Sequence, residues 1–225
     1  MPCLPALAEG EAGMIMQAGV QKQVTKRFSA TLTADLRLRN NFKSIERWSL
    51  SPMAGYKLTD WLKVDAGYML LRTQFPQTRA TATGKGLGYW DVKHRAYASL
   101  TGTCHPTGNI VLSLRERWQY TYRHVPSAEG MAIPDSHRHV LRSFLQVQYL
   151  IPKSPLTPYA SAEIFNALDN AMNFERILCT IGTNIKMSDR HTLTVFYRYK
   201  HPFSSGNNPT PDLHYLGIAY KYTIP

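Results

Sequence analysis

The chain has 225 residues, of which 44% are hydrophobic and 11% aromatic, and it carries a formal net charge of +11 at pH 7. This length suits one β-barrel domain or two small domains. No run of 18 apolar residues occurs, which excludes a transmembrane helix. The three cysteines have neither zinc-site spacing nor the even number that a disulfide framework needs.

Residues 1–13 precede the first patterned segment. Within them, Ala6-Leu7-Ala8 before Glu9 has the form of a signal-peptidase site, but no charged and apolar signal regions stand before it. We interpret residues 1–13 as a signal-peptide remnant, a segment inside the barrel lumen, or an extra strand. Residues 14–225 are interpreted as a single domain.

Residues 28–39 show the clearest alternation in the chain. Every second residue is apolar, and those between them are polar or charged; the apolar set is Phe28, Ala30, Leu32, Ala34, Leu36 and Leu38. Strand side chains point to opposite faces with a period of two, so one face is apolar and the other polar. The length matches the about 9–11 residues of a tilted transmembrane strand better than the roughly 5–6 of an ordinary strand.

The same pattern predicts eleven strands. They span residues 14–24, 28–39, 46–58, 61–72, 90–101, 109–123, 139–151, 157–167, 173–187, 191–200 and 212–223. The fold class is therefore all-β, an antiparallel up-and-down transmembrane β-barrel. Because single-chain bacterial barrels have an even strand number, we expect about twelve strands, with ten as the alternative.

The connections between strands alternate in length. Short turns follow the odd-numbered strands, and longer loops, including 73–89 and 124–138, follow most even ones, as in bacterial outer-membrane barrels. With the short turns on the periplasmic side, the aromatic residues sort into two girdles, which are typical of the two water–lipid boundaries. The periplasmic girdle is Phe28, Tyr56, Trp61, Tyr149, Tyr220 and Tyr222, and the outer girdle is Trp48, Tyr68, Trp118, Tyr120, Tyr122, Tyr197 and Tyr199. This predicts the outer membrane of a Gram-negative bacterium, with its lipid as a partner.

The C-terminal segment contains Gly217, Tyr220 and Tyr222 in the order Gly-x-x-aromatic-x-aromatic. It resembles the signal that outer-membrane barrels present to the barrel-assembly machinery, which the resemblance implies as a partner. Three residues follow the last aromatic here, whereas the signal usually ends on it.

Several stretches together resemble an uncharacterised family of outer-membrane barrels from Bacteroides-type bacteria, a domain of unknown function. They are Leu36-Arg37-Leu38-Arg39-Asn40, Leu58-Thr59-Asp60-Trp61-Leu62-Lys63, Ala66-Gly67-Tyr68, Leu112-Ser113-Leu114-Arg115-Glu116-Arg117-Trp118-Gln119-Tyr120, Thr157-Pro158-Tyr159-Ala160-Ser161 and Phe196-Tyr197-Arg198-Tyr199. Their order and spacing extend over nearly the whole chain from about Gly13. The resemblance implies an outer-membrane barrel and no reaction.

The polar faces of the strands carry an excess of cations. The candidate lumen residues are Arg37, Arg39, Lys63, Arg95, Arg115, Arg117, Arg142, Arg198 and Lys200, with Asp35, Asp65 and Glu163 as their acidic partners. A lumen lined by cations attracts anions and repels cations. The sequence therefore predicts a narrow channel or binding site for a small anionic solute.

Two alternatives remain open. In the first, paired charges and aromatic rings fill the lumen, and the protein is a closed scaffold whose outer loops bind a partner. The aromatic side chains that also point inward are Tyr97, Phe144, Phe165, Phe196 and Tyr215. A soluble lipocalin-like binding barrel also alternates, but its apolar face would point inward.

Enzymatic activity is not expected. Asp135, Ser136, His137, His139 and Ser143 crowd one outer loop and its following strand without the separate nucleophile, base and orienting group that catalysis needs. No metal site, cofactor or nucleic-acid partner is predicted, because histidines are scattered and basic residues alternate along strands.

Glu116 falls on the apolar face by strict alternation. A β-bulge that turns it inward is favoured over a contact with a partner subunit or a lipid headgroup, because an ionised group facing lipid is costly.

Overall fold

The structure is a computed structural model that describes residues 10–79, 87–124, 136–169, 173–203 and 211–224. The described residues form eleven strands, and no helix among them is long and apolar enough to cross a bilayer. The strands are β1 (Glu11–Gln23), β2 (Phe28–Arg39), β3 (Ser44–Lys57), β4 (Leu62–Arg79), β5 (Leu87–Thr107), β6 (Ile110–His124), β7 (Ser136–Tyr149), β8 (Leu156–Ala167), β9 (Asn173–Lys186), β10 (His191–Pro202) and β11 (Leu213–Ile224).

The eleven strands close into one barrel in which each strand pairs with its neighbour in sequence, and β1 pairs with β11. All pairs are antiparallel except the last, which runs parallel from Glu11↔Leu213 to Lys22↔Ile224. The predicted all-β barrel is confirmed. The described residues supply eleven strands rather than the expected twelve or ten, because the parallel pair lets an odd number of strands close.

Several strands are longer than predicted. β4 ends at Arg79 and β5 begins at Leu87, so most of the predicted loop 73–89 is strand, as is most of the predicted turn 102–108. β7 begins at Ser136, inside the predicted loop 124–138. Thr, Gly and Pro indicate a loop by composition, but two neighbouring strands can continue to pair wherever their backbones remain adjacent. Residues 80–86 and 125–135 lie outside the described residues.

The first strand begins at Glu11, three residues before the predicted start at residue 14. Glu11 to Gly13 belong to β1 and pair with the start of β11. The signal-like residues 6–8 lie outside the described residues.

The large exposed apolar side chains face outward, and most buried side chains are polar, apart from an inward apolar cluster of Ile15, Phe196, Leu213 and Tyr215. Leu32, Leu114 and Leu145 are 47%, 54% and 48% exposed, whereas Asp35 and Glu163 are each 7% exposed. A soluble barrel would have the opposite arrangement, because its apolar face must leave water. The lipocalin-like alternative is therefore wrong. The girdle aromatics lie on the outward face, and Trp61, Tyr68, Trp118 and Tyr149 are all exposed.

Glu116 also lies on the outward face, so the predicted bulge is wrong. β6 pairs with β7 without a register shift, and the only irregularity between β5 and β6 falls between Cys104 and Thr107. Within the described residues, the Glu116 carboxylate accepts a hydrogen bond from Ser143 Oγ at 2.8 Å. This bond gives the carboxylate a polar partner on an otherwise apolar surface.

Candidate functional site

The inward faces of the strands form a lumen in which two buried carboxylates, Glu163 and Asp35, each contact two cations. Glu163 on β8 accepts from Arg115 at 3.0 Å and from Arg142 at 2.8 Å. Asp35 on β2 lies 3.1 Å from Arg37 and 3.7 Å from Arg47. The predicted residues Arg37, Arg115, Arg142, Asp35 and Glu163 are thus brought together in two clusters.

Four of the other predicted lumen residues lie nearer the barrel ends. Lys63 contacts the buried Asp65 at 2.6 Å. Arg39 lies 3.9 Å from Glu11 with about a third of its side chain exposed, so it belongs to the rim rather than to the lumen centre. Lys200 is partly buried, and it lies within electrostatic range of Glu46.

Two acidic residues that the sequence analysis missed reach the lumen at β-bulges. Arg37 pairs with Arg47 and Leu38 with Ile45, so Glu46 is the extra residue of β3. Its carboxylate accepts a hydrogen bond from the buried Tyr215 hydroxyl at 2.8 Å. Glu175 occupies the equivalent extra position in β9. A bulge breaks the period of two, so alternation alone could not place these groups.

Three lumen arginines bond hydroxyl groups instead of carboxylates. Arg95 donates to Thr121 Oγ1 at 3.0 Å, Arg117 to Ser99 Oγ at 2.9 Å, and Arg198 to Thr180 Oγ1 at 3.0 Å. Among the described residues none of these three makes a salt bridge. Each hydroxyl orients its guanidinium without neutralising the charge.

Rings that lie flat on glycines support two of these arginines. A Cβ at Gly67 would clash with the Tyr97 ring, and one at Gly217 would clash with the Phe196 ring. The Arg117 guanidinium lies 4.4 Å from the Tyr97 ring centre, and that of Arg198 lies 4.9 Å from the Phe196 ring centre. The Tyr97 and Phe196 rings thus pack against the wall of the barrel, because Gly67 and Gly217 leave room beneath them.

The unpaired arginines come from opposite walls. Arg95 is on β5 and Arg198 on β10, which are five strands apart in one direction round the barrel and six in the other. Arg37 lies within electrostatic range of both. Eight strands leave room only for side chains and sixteen leave an aqueous channel, so eleven give a narrow interior in which these groups converge.

A polar cavity of about 460 Å³ opens at the short-turn end. Its lining includes Gln17, Thr31, Thr33, Gln148, Thr157, Asn184 and Thr194, and the charged side chains among the described residues that line it are Lys186 and Lys221. Lys186 contacts Asp189 in the adjoining turn at 2.8 Å, and its hydrogen bond and charge lower the pKa of that carboxyl. The cavity offers hydroxyls, amides and positive charge.

The residues weighed for catalysis do not assemble around a nucleophile. His137 and His139 stack on outward aromatic rings, and Ser143 donates to Glu116. Asp135 lies outside the described residues. Among the residues that the structure describes, no group of three or more potential ligands could hold a metal ion.

The residues of the C-terminal signal have contacts of their own. Gly217 lies beneath the Phe196 ring. Tyr220 hydroxyl lies 2.6 Å from His191 Nδ1, and the Tyr222 ring lies 5.1 Å from the His191 ring. The packing beneath Phe196 gives Gly217 a structural role that the sequence pattern does not show.

A family model described as a protein of unknown function (DUF2490) matches residues 13–210. Among solved structures, the chain is similar to the beta domain of the Bordetella autotransporter Brka, with 12% identity and a TM-score of 0.56 over 88% of this chain and 82% of that one. It is also similar to the NanC porin, with 14% identity and a TM-score of 0.48 over 84% and 86%. No curated protein matches.

These comparisons confirm the predicted resemblance to an uncharacterised family and the structural similarity to outer-membrane β-barrel proteins. At such low identity the similarity to the Bordetella protein is one of fold. An origin in Bacteroides-type bacteria stays a prediction.

Proposed function

The chain belongs to the DUF2490 family of proteins of unknown function, and on that premise we propose that it is an outer-membrane β-barrel whose basic lumen conducts or binds small anionic solutes. The outward apolar belt and its aromatic girdles support the membrane position, since a closed barrel satisfies every backbone group in lipid. The fold shared with the Bordetella beta domain agrees with this position.

The observation that carries the anion proposal is the set of three arginines, Arg95, Arg117 and Arg198, held by hydroxyls. A guanidinium presents several donors in a fixed plane that match carboxylate and phosphate oxygens. Each hydroxyl uses one donor, and Met69 Sδ accepts a second from Arg95 at 3.9 Å, so the remaining donors can bind a solute. The cavity at the short-turn end, which contains Lys221, would admit anions to these groups.

Planar-bilayer recording in a KCl gradient tests the pathway. The reversal potential of the purified chain should show anion preference, and Arg95→Gln with Arg198→Gln should reduce the anion-to-cation permeability ratio several-fold. Lys22→Gln is the matched control, because Lys22 is an exposed outward cation at the short-turn end of β1. An unchanged ratio in the lumen variant would contradict the role given to these arginines.

The closed scaffold is the second candidate function, and the shared carboxylates favour it. Glu163 holds Arg115 and Arg142, and both guanidinium groups lie 4.4 Å from a phenylalanine ring centre. A chain that inserts but shows no conductance at any voltage, and binds no anion in equilibrium dialysis, would leave the scaffold with partner-binding outer loops.

Assembly would use the C-terminal strand. We propose that Gly217, Tyr220 and Tyr222 engage the barrel-assembly machinery as part of β11. In a reconstituted insertion assay, Tyr222→Ala should slow insertion more than the outward control Leu216→Ala.

A further inference from the structure

The outward surface near the long-loop ends of β4 to β7 carries imidazoles that the lumen function does not use. His94, Tyr122 and His137 are consecutive register partners on β5, β6 and β7. Their rings are 6.3 Å and 5.2 Å apart between neighbours. Tyr68 and Tyr120 lie one step nearer the barrel middle, and Arg72 one step nearer the loops. We call Arg72, His94, Tyr122 and His137, with Tyr68 and Tyr120, the rim patch.

A tyrosine hydroxyl contacts Nδ1 of each of the two imidazoles, those of His94 and His137. Tyr68 hydroxyl contacts His94 Nδ1, and Tyr120 hydroxyl lies 2.5 Å from His137 Nδ1. Among the described residues each hydroxyl has the imidazole nitrogen as its polar partner, and a phenol in that position donates its proton to the imidazole. A neutral imidazole that accepts at Nδ1 carries its hydrogen on Nε2. Within the described residues neither Nε2 has a hydrogen-bond partner, so both remain available as outward donors.

Arg72 adds a fixed positive charge beside these donors. It is exposed on the outward face, and its guanidinium lies 5.5 Å from the Trp90 ring centre. Asp169 contacts the His139 backbone N–H, and Glu116 lies four residues from Tyr120 toward the barrel middle. The rim patch therefore offers one cation and two oriented N–H donors at the level of an interfacial girdle.

We propose that the rim patch binds the phosphate group of an anionic lipid headgroup in the leaflet around the long-loop end. Arg72 and His94 lie diagonally on the adjacent strands β4 and β5, so two oxygens of one phosphate can accept from them, and His137 on β7 offers a further donor to the same headgroup region. The apolar surface below the patch, at Ala98 and Trp118, fits the acyl chains of the same molecule. This inference rests on the membrane position proposed above and is independent of whether the lumen conducts.

Native mass spectrometry of the refolded chain tests the proposal, with insertion into vesicles verified first by flotation. In mixed micelles the chain should retain phosphatidic acid at least five-fold more than phosphatidylcholine. His94→Phe with His137→Phe keeps two rings but removes both Nε2 donors, and it should abolish this preference. His105→Phe removes an exposed imidazole near the short-turn end of β5 and should leave the preference unchanged.

Two further variants and two competing ligands complete the test. Arg72→Gln should weaken phosphatidic acid binding, which keeps the test valid if the double variant does not insert. Tyr120→Phe should weaken it less, since the ring stays and only the orienting hydroxyl is lost. Retention of oleate equal to that of phosphatidic acid, or full competition by inorganic phosphate, would overturn the assignment to a lipid phosphate. A His94→Phe, His137→Phe variant that inserts and keeps the preference would overturn it as well. A wild-type chain that does not float with vesicles would overturn the membrane position itself.

Discussion

Placing the same charged side chain on each face of one strand in turn gives the sharpest test of the membrane position. Leu32 lies near the middle of β2, is 47% exposed, and pairs with Val20 and Pro52 on the outward surface. Thr33 is the next residue, and it lines the polar cavity at the short-turn end. Leu32→Arg thus places a cation against lipid, whereas Thr33→Arg places the same side chain in a wet interior.

The expected costs differ widely. A cation at the lipid midplane of a barrel costs about 2–4 kcal/mol, which corresponds to a folding equilibrium constant lower by roughly thirty-fold to several hundred-fold. Thr33→Arg should change the free energy of unfolding by no more than about 1 kcal/mol, because the cavity is polar and the Gly19 on the neighbouring strand leaves room. Val20 and Pro52 carry no group that could pair with the new charge at position 32.

Equilibrium unfolding in guanidinium chloride, with the chain refolded into phospholipid vesicles, measures both variants. Leu145→Arg and Gln146→Arg repeat the comparison on β7, where Leu145 is outward and Gln146 accepts from Gln148 inside. Equal losses within each pair would refute the assignment of faces, and so would a larger loss at Thr33 and Gln146.

Three other predictions concern single contacts. Glu116→Gln should raise the free energy of unfolding by about 1 kcal/mol in vesicles, because it removes an outward charge. Ser143→Ala should lower this free energy by about 1–3 kcal/mol, because it leaves the Glu116 carboxylate without its donor. The opposite signs would contradict the lipid-facing position of Glu116. Gly217→Ala should destabilise the barrel by about 1–3 kcal/mol, measured by the same titration, because a methyl group overlaps the Phe196 ring. The hydrogen bond from Tyr199 lowers the pKa of Asp212, so the stability that Asp212 contributes is present at pH 7 and is lost as the pH falls below about 4. The difference in melting temperature between the wild-type chain and Asp212→Asn should therefore disappear below about pH 4.

The alternation of apolar and polar residues predicts those features of the fold that depend on a single strand. It assigns Leu32 to the outside and Arg95 to the inside, and it places all eleven strands, because alternation depends only on backbone geometry. Strand ends are less well predicted, since the ends of β4 and β5 are fixed by their pairing across the loop rather than by their composition.

Contacts between strands could not be predicted from the sequence. Asp35, Asp65 and Glu163 were assigned to the lumen, but their partners depend on the register and on side-chain reach. The acidic groups of Glu46 and Glu175 were missed because a bulge breaks the alternation. The parallel pairing of β1 with β11 joins residues about 200 positions apart, and no local pattern encodes it.

The balance of charge in the lumen bears directly on whether it is filled or wet. In one cluster, Glu163 faces Arg115 and Arg142. In the other, two carboxylates face three cations, namely Asp35 and Glu46 against Arg37, Arg47 and Lys200. Each cluster therefore keeps one positive charge in excess.

The hydroxyl-held arginines Arg95, Arg117 and Arg198 add to that excess. Burying uncompensated charge in a dry interior is far more costly than any packing that a filled barrel would gain. In the proposed pathway water or mobile anions reach these groups, and a polar cavity opens at the short-turn end of the same barrel. The excess charge thus supports the proposed anion pathway over the closed scaffold.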